Sequence, residues 1–261
     1  MTYKALFLDI DGTILKPDHT YTESTKDAIS QVMDQGVEVF LATGRPIHEI
    51  SELAGELSID SFIGYNGAYA LYQRENIVDE PIDSAVIDKF VEIAKENNHE
   101  FVMYTNGKNY FSNLDSPTVT LFTEAFQMKH NEAYTPAINH QILGVTVMNV
   151  EPSQPSLYEF DPAFHLSQVN VEGVENSYDI IRDTVNKGEA ITKLLQRINV
   201  AKEEAIAFGD GMNDKEMLRA VGEGFAMANA HPDLFQYAKH RTTSVTDSGI
   251  FNGLKELGLV K

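Results

Sequence analysis

Hydrophobic residues follow two rhythms along this chain. Ala5-Leu6-Phe7-Leu8 is apolar throughout and short, the pattern of one buried strand. Thr22 to Gln35 then carries Ala28, Ile29, Val32 and Met33 at helical spacing and ends at Gly36, a helix stop. Val37 to Ala42 reads as a second strand running into Thr43-Gly44-Arg45-Pro46. Pro46 suits the first turn of a helix from about Ile47 to Leu57. Ser61 to Tyr65 is a third strand, closed by the turn Asn66-Gly67. Strands alternating with helices in this order predict a parallel sheet with right-handed crossovers.

From about Ile82 the pattern changes. A helix over about 83–97 precedes strand-like Phe101 to Thr105, and Asn106-Gly107 predicts a hairpin into Tyr110-Phe111. A helical stretch from Pro117 to Gln127 and a strand over 142–148 follow. Glu151 to Pro162 reads as a loop or short helix, and 165–171 can pair with 177–182 across Glu172-Gly173. From Gly188 the first rhythm returns: a helix over 189–198, a strand over 205–208, and the turn Gly209-Asp210-Gly211. A helix from Asn213, a short strand near 224–227 and helices near Pro232 and over 251–257 complete it. The expected organisation is one α/β domain, residues 1–81 and 185–261, with an α+β domain, 82–184, inserted in it.

Composition narrows the partners. The 261-residue chain is 43% hydrophobic, enough for a substantial core. Its net charge is −19, from 39 acidic and 20 basic residues. Nucleic acid and anionic membrane are therefore not expected partners, because both call for clustered Lys and Arg. There is no cysteine, which excludes disulfides, zinc thiolates and thiol nucleophiles and fits a reducing compartment. The chain shows no basic leader and no apolar run near the ~18 residues of a membrane span. A soluble, cytoplasmic protein is expected, with its oligomeric state open.

The chemistry gathers at the ends of the predicted strands, where open parallel sheets bind ligands. Asp9 and Asp11 stand two apart after the first strand, and alternation would send both to one face. Two carboxylates that close repel unless a cation lies between them, and Mg²⁺ takes such ligands together with phosphate and water. Gly12 frees the backbone for a turn. Alone, Asp-x-Asp-Gly is more often a plain turn. A calcium loop is not expected, since Thr20 stands where its closing Glu belongs. Thr43-Gly44 offers a hydroxyl and N–H groups to an anion, although a helix cap would look the same. Asp210, flanked by two glycines after a strand, could complete a carboxylate cluster. Asn213 and Asp214 open a helix, where capping is the routine role. Lys187, alone, would be solvated surface.

Together, Asp9-Ile10-Asp11-Gly12-Thr13, Thr43-Gly44-Arg45, Lys187-Gly188 and Gly209-Asp210-Gly211-Met212-Asn213-Asp214 resemble the haloacid dehalogenase superfamily, in its Cof-type sugar-phosphatase branch. Tyr65-Asn66-Gly67-Ala68 and Phe225-Ala226-Met227-Ala228-Asn229-Ala230 extend the likeness over the whole length. The resemblance implies a Rossmann-like three-layer core with a parallel sheet, and an inserted α/β cap that selects substrate. It implies Asp9 as nucleophile, forming an aspartyl-phosphate, and Asp11 as general acid and then base. It implies Mg²⁺ on Asp9, the Asp11 carbonyl and Asp210, with Asp214 supporting the metal shell. The phosphate would be held by the Ile10 backbone, Thr43, Gly44, Lys187 and Asn213. A small phosphorylated metabolite is the expected partner. Ion-pumping relatives carry Thr in place of Asp11, so the acid here favours hydrolysis. A phosphomutase on the same core, or a non-catalytic phosphometabolite sensor, would share these features. Asp247-Ser248-Gly249-Ile250 departs from the branch's usual Asp-Gly-Val. In the cap, Tyr104, Tyr110, Asn113 and His165 are candidates to face substrate, against the simpler reading as cap core or surface.

Overall fold

A computed structural model describes residues 2–261. They form two compact units. One comprises the chain up to Arg45 with Ile50–Asp79 and Val185–Lys261, and the other comprises Pro46–Glu49 with Glu80–Thr184.

In chain order, the first unit opens with β1 (Ala5–Leu8), α1 (Glu23–Asp34), β2 (Glu38–Ala42), α2 (Ser51–Leu57), β3 (Ser61–Gly64), β4 (Tyr69–Tyr72) and β5 (Glu75–Asp79). The second unit carries α3 (Ser84–Asn97), β6 (Glu100–Tyr104), β7 (Asn109–Phe111), α4 (Pro117–Ala125), β8 (Asn131–Ala133), β9 (Gly144–Met148), β10 (Phe164–Gln168) and β11 (Tyr178–Arg182). The chain returns to the first unit with α5 (Lys187–Arg197), β12 (Ala205–Gly209), α6 (Lys215–Ala220), β13 (Glu223–Ala226), β14 (His240–Arg241) and α7 (Gly249–Glu256).

The first unit is built on an eight-stranded sheet in the order β14-β13-β12-β1-β2-β3-β4-β5. The six strands from β14 to β3 are parallel, and β1 is fully buried. Ala5 and Phe7 point to one face, against Ile191 and Leu194 of α5 and Met217 of α6. Leu6 and Leu8 alternate to the other. α1 and α7 pack on one another. The chain leaves β1 toward β2 on one side and later fills β12 and β13 on the other. The strand order therefore reverses between β1 and β12, and the carboxyl ends of those two strands form the switch point.

The sheet is larger than the sequence pattern predicts, because β4 and β5 form an antiparallel hairpin on its edge. Their turn is Gln73-Arg74, with φ of 47° and 68°. Such a turn needs two left-handed residues, and Asn-Gly is its usual signature; Gln-Arg carries no such signal. The helix expected at Pro232 is a single tight turn, Pro232–Gln236. The helix expected from Ile47 begins as a tight turn, Ile47–Ile50, before α2.

The second unit is a six-stranded sheet in the order β10-β11-β9-β6-β7-β8, antiparallel except between β7 and β8. On one face Phe101, Met103, Val145 and Val147 meet Ile87 and Phe90 of α3. On the other, Val102, Phe111 and Met148 meet Val119 and Phe122 of α4. The hairpin predicted at Asn106-Gly107 joins β6 to β7.

Candidate active site

The switch point gathers three acids and one ammonium. Asp9 follows β1 directly and is 6% exposed, with its N–H donating to Phe208 O of β12 at 3.0 Å. Lys187, the first residue of α5, is fully buried. Its Nζ donates to Asp9 Oδ1 and to Asp214 Oδ1, each at 2.6 Å. Asn186 caps α5 by accepting from Glu189 N–H at 3.0 Å, which sets where Lys187 starts the helix. The other oxygen of Asp214 accepts from the N–H groups of Asp210 and Gly211, both at 3.0 Å, and so shapes the loop that carries Asp210. Asp210 Oδ1 in turn accepts from the Thr13 hydroxyl at 3.0 Å.

Asp9, Asp210 and Asp214 each bring one oxygen within 4.8 Å of the others. Burial pushes the Asp9 carboxyl well above the usual carboxylate range, and Asp214 beside it pushes further, against the pull of Lys187. Burial and the Asp214 charge likewise raise Asp210, to about 6. Burial works against the Lys187 charge, but Asp214 and Asp9 outweigh it and hold the ammonium above its ordinary value. Three carboxylates facing one ammonium leave two negative charges unmatched. A divalent cation with a preference for oxygen donors removes that deficit, so Mg²⁺ fits this set, with Asp9 and Asp210 as side-chain ligands. Both oxygens of Asp214 are already engaged, by Lys187 and by two N–H groups.

The turn after β1 separates Asp11 from this cluster. β1 ends at Leu8, and Ile10 O accepts from the N–H groups of Thr13, Ile14 and Leu15, so the strand's alternation does not continue to Asp11. Contrary to the expectation of a shared face, the Asp11 carboxylate lies half-exposed and pairs with Arg45. Nε donates to Oδ2 at 2.7 Å and Nη2 to Oδ1 at 2.5 Å. Gly12 makes the turn possible: its φ is +82°, and a Cβ there would lie 2.1 Å from Asp210 Oδ2.

The residues expected to hold phosphate sit around the same strand ends. Thr43 is 2% exposed, and its hydroxyl oxygen accepts from Arg45 N–H at 3.0 Å, which leaves its proton to donate. Gly44 follows it on the same loop. Asn213 is exposed and donates from Nδ2 to Asn66 Oδ1 at 3.0 Å. Three residues near the cluster had no role from sequence: Thr13, Arg45 and Asn229, whose Nδ2 donates to Gly12 O at 2.8 Å. Thr13 and Arg45 stand inside the recognised motifs, which was the available signal. Within the second unit, the Tyr104 hydroxyl pairs with Thr146, which donates to Asp179 at 2.6 Å. Tyr110 packs against the core of that unit, Asn113 accepts from Asp115 N–H, and His165 pairs with Asp183 at 2.7 Å.

The profile of haloacid dehalogenase-like hydrolases matches residues 6–254. The chain belongs to that family. Bacillus subtilis YkrA is 31% identical over the full length of both chains. The 5-amino-6-(5-phospho-D-ribitylamino)uracil phosphatase YitU of the same organism is 27% identical over 95% of each. The HMP-PP phosphatase of Klebsiella pneumoniae is 27% identical over 88% of this chain and 86% of its own. Among solved structures, a protein from Geobacillus kaustophilus superposes with a TM-score of 0.90 at 30% identity, covering 99% of this chain and 100% of that one. The subclass IIB sugar phosphatase BT4131 does so with 0.81 at 25% identity, covering 98% and 100%. The protein is a Cof-type haloacid dehalogenase-like phosphatase with the α/β core and cap of that family. No described helix is long and apolar enough to cross a membrane.

Proposed function

We propose that this phosphatase is Mg²⁺-dependent and hydrolyses small phosphomonoesters, sugar phosphates and related metabolites, through a phosphoryl group carried transiently on Asp9. The observation behind this reading is the buried Lys187 ammonium shared by Asp9 and Asp214 beside a third acid. Phosphomonoester hydrolysis is among the slowest reactions in water, with enzymatic accelerations up to about 10²¹-fold. Charge placed in advance around the phosphoryl oxygens is how such barriers fall. Mg²⁺, when bound, would neutralise and orient those oxygens.

The chain's own residues do the rest. Lys187 holds one oxygen of Asp9 and so aims the carboxylate at phosphorus. Asp9 attacks, the ester P–O bond breaks, and Asp11 gives its proton to the departing oxygen. Water then attacks the phosphoryl group on Asp9 while Asp11 takes the water's proton. The bond to Asp9 breaks, and inorganic phosphate leaves with both acids restored. Two displacements replace one harder step. Arg45 holds both Asp11 oxygens apart from the metal-binding acids, so the proton transfers require this pair to open. Thr43, the Gly44 N–H and Asn213 hold the phosphoryl oxygens.

Release of phosphate from p-nitrophenyl phosphate should require Mg²⁺ and stop on chelation. Asp9→Asn should reduce turnover to background in a folded protein, and appreciable residual turnover would overturn the nucleophile assignment. Asp11→Asn should accumulate phosphoenzyme from ³²P-labelled substrate, and full turnover without accumulation would remove Asp11 from its role.

A further inference from the structure

The turn after β3 is held in a conformation that its sequence resists. Tyr65, Asn66 and Gly67 follow one another with φ of 53°, 53° and 108°. Left-handed backbone is uncommon outside glycine, and for a bulky residue such as tyrosine it is an outlier. Conformations of this kind persist where the surroundings impose them, and they cluster at functional sites.

Asn66 and Gly67 are pressed against the residues expected to hold phosphate. A Cβ on Gly67 would lie 2.3 Å from Asn186 O, so the turn abuts the chain that enters α5 at Lys187. Asn66 N–H donates to Thr43 O at 3.1 Å. The Asn66 amide lies over Gly44, where a Cβ would come within 3.1 Å of its Oδ1 and 3.2 Å of its Nδ2. Asn66 Oδ1 accepts from Asn213 at 3.0 Å. One side chain thus touches Gly44 and Asn213, while its backbone holds Thr43. Asn66 is half-buried, and its Nδ2 has no acceptor among the described residues.

We propose that Asn66 is a phosphate-binding residue: Nδ2 donates to a non-bridging oxygen of the phosphoryl group, and Oδ1 turns Asn213 toward the same group. The strained turn is what aims the amide there. Hydrogen bonds to an ionised acceptor are roughly twice as strong as neutral ones. Beside a cluster of three acids, each such donor counts toward holding a dianion. The assignment rests on the phosphatase reading above and adds a residue to that site.

The test compares Asn66→Gly and Asn66→Asp with the wild-type chain, using inorganic phosphate in the presence of Mg²⁺ as the probe. Glycine accepts the left-handed conformation without a Cβ penalty, so Asn66→Gly should unfold at an unchanged or higher temperature. Its dissociation constant for phosphate, by calorimetric titration, should nevertheless rise about tenfold, the loss of one charge-assisted bond. Asn66→Asp also tolerates the turn but replaces the donor with a negative charge, and it should bind phosphate more weakly still. With p-nitrophenyl phosphate, KM should rise in the same order. Wild-type phosphate affinity in either variant of an active enzyme overturns the Asn66 assignment alone. So does a loss of affinity that tracks a loss of thermal stability. A wild-type chain that neither binds phosphate nor hydrolyses the ester overturns the phosphatase reading as well.

Discussion

Lys187 is the residue on which the acids depend. Fully buried between Asp9 and Asp214, it supplies the cluster with a side-chain cation. Removing one member of a buried ion pair strands the other, at a typical cost of about 3–5 kcal/mol. Lys187→Met should therefore lower the unfolding free energy, read from urea titration, by an amount of that order and abolish turnover. A variant as stable as wild type would show that Asp9 and Asp214 do not rely on the ammonium. His48 is a half-buried titrating group. Burial lowers its pKa below the usual 6.5, although Asn109 and Glu49 oppose the shift. Because the unfolded chain takes up this proton more readily, the stabilising contribution is complete above 6.5 and is lost as pH falls through the folded value. Urea midpoints should drop between pH 7 and pH 5, and His48→Gln should flatten that drop. Of the site, the acids and Lys187 were legible because motif order and strand ends brought them together. The bonds of Arg45, Thr13 and Asn66 were not, since each depends on how a turn folds and leaves no periodicity behind.

Elements were legible where a pattern repeated. β1 and β12 are continuous apolar runs, β2 and β3 are apolar after a polar first residue, and α1 and α5 carry regular apolar stripes. The β4–β5 hairpin escaped because its strands are half-exposed and its turn residues are unconventional. That turn is also an opportunity. Replacing Gln73-Arg74 by Asn-Gly removes two unfavourable left-handed residues, each carrying ~1–2 kcal/mol of strain in a non-glycine residue. The double variant should unfold at higher urea concentration with kcat and KM unchanged, since the hairpin lies at the far edge of the sheet from β1 and β12. An unchanged midpoint would mean that the present turn is relaxed.

At the scale of the whole molecule, the chain passes between its two units four times: after Arg45, Glu49, Asp79 and Thr184. An insertion read from sequence as one continuous segment needs only two such passages. The additional pair encloses Pro46–Glu49, four residues packed with the second unit. Asn109, fully buried at the start of β7, explains why. Its Oδ1 faces His48 Nε2 at 2.9 Å, and its Nδ2 donates to Glu49 Oε1 at 2.6 Å. No composition shift marks so short an excursion. The cap is therefore not a cassette that two cuts can lift out. A polypeptide spanning only 80–184 would leave Asn109 Oδ1 without His48, although Nδ2 would keep Lys129 O and Asn131, and a chimaera that takes its cap from a relative would inherit the mismatch unless residues 46–49 travel with it.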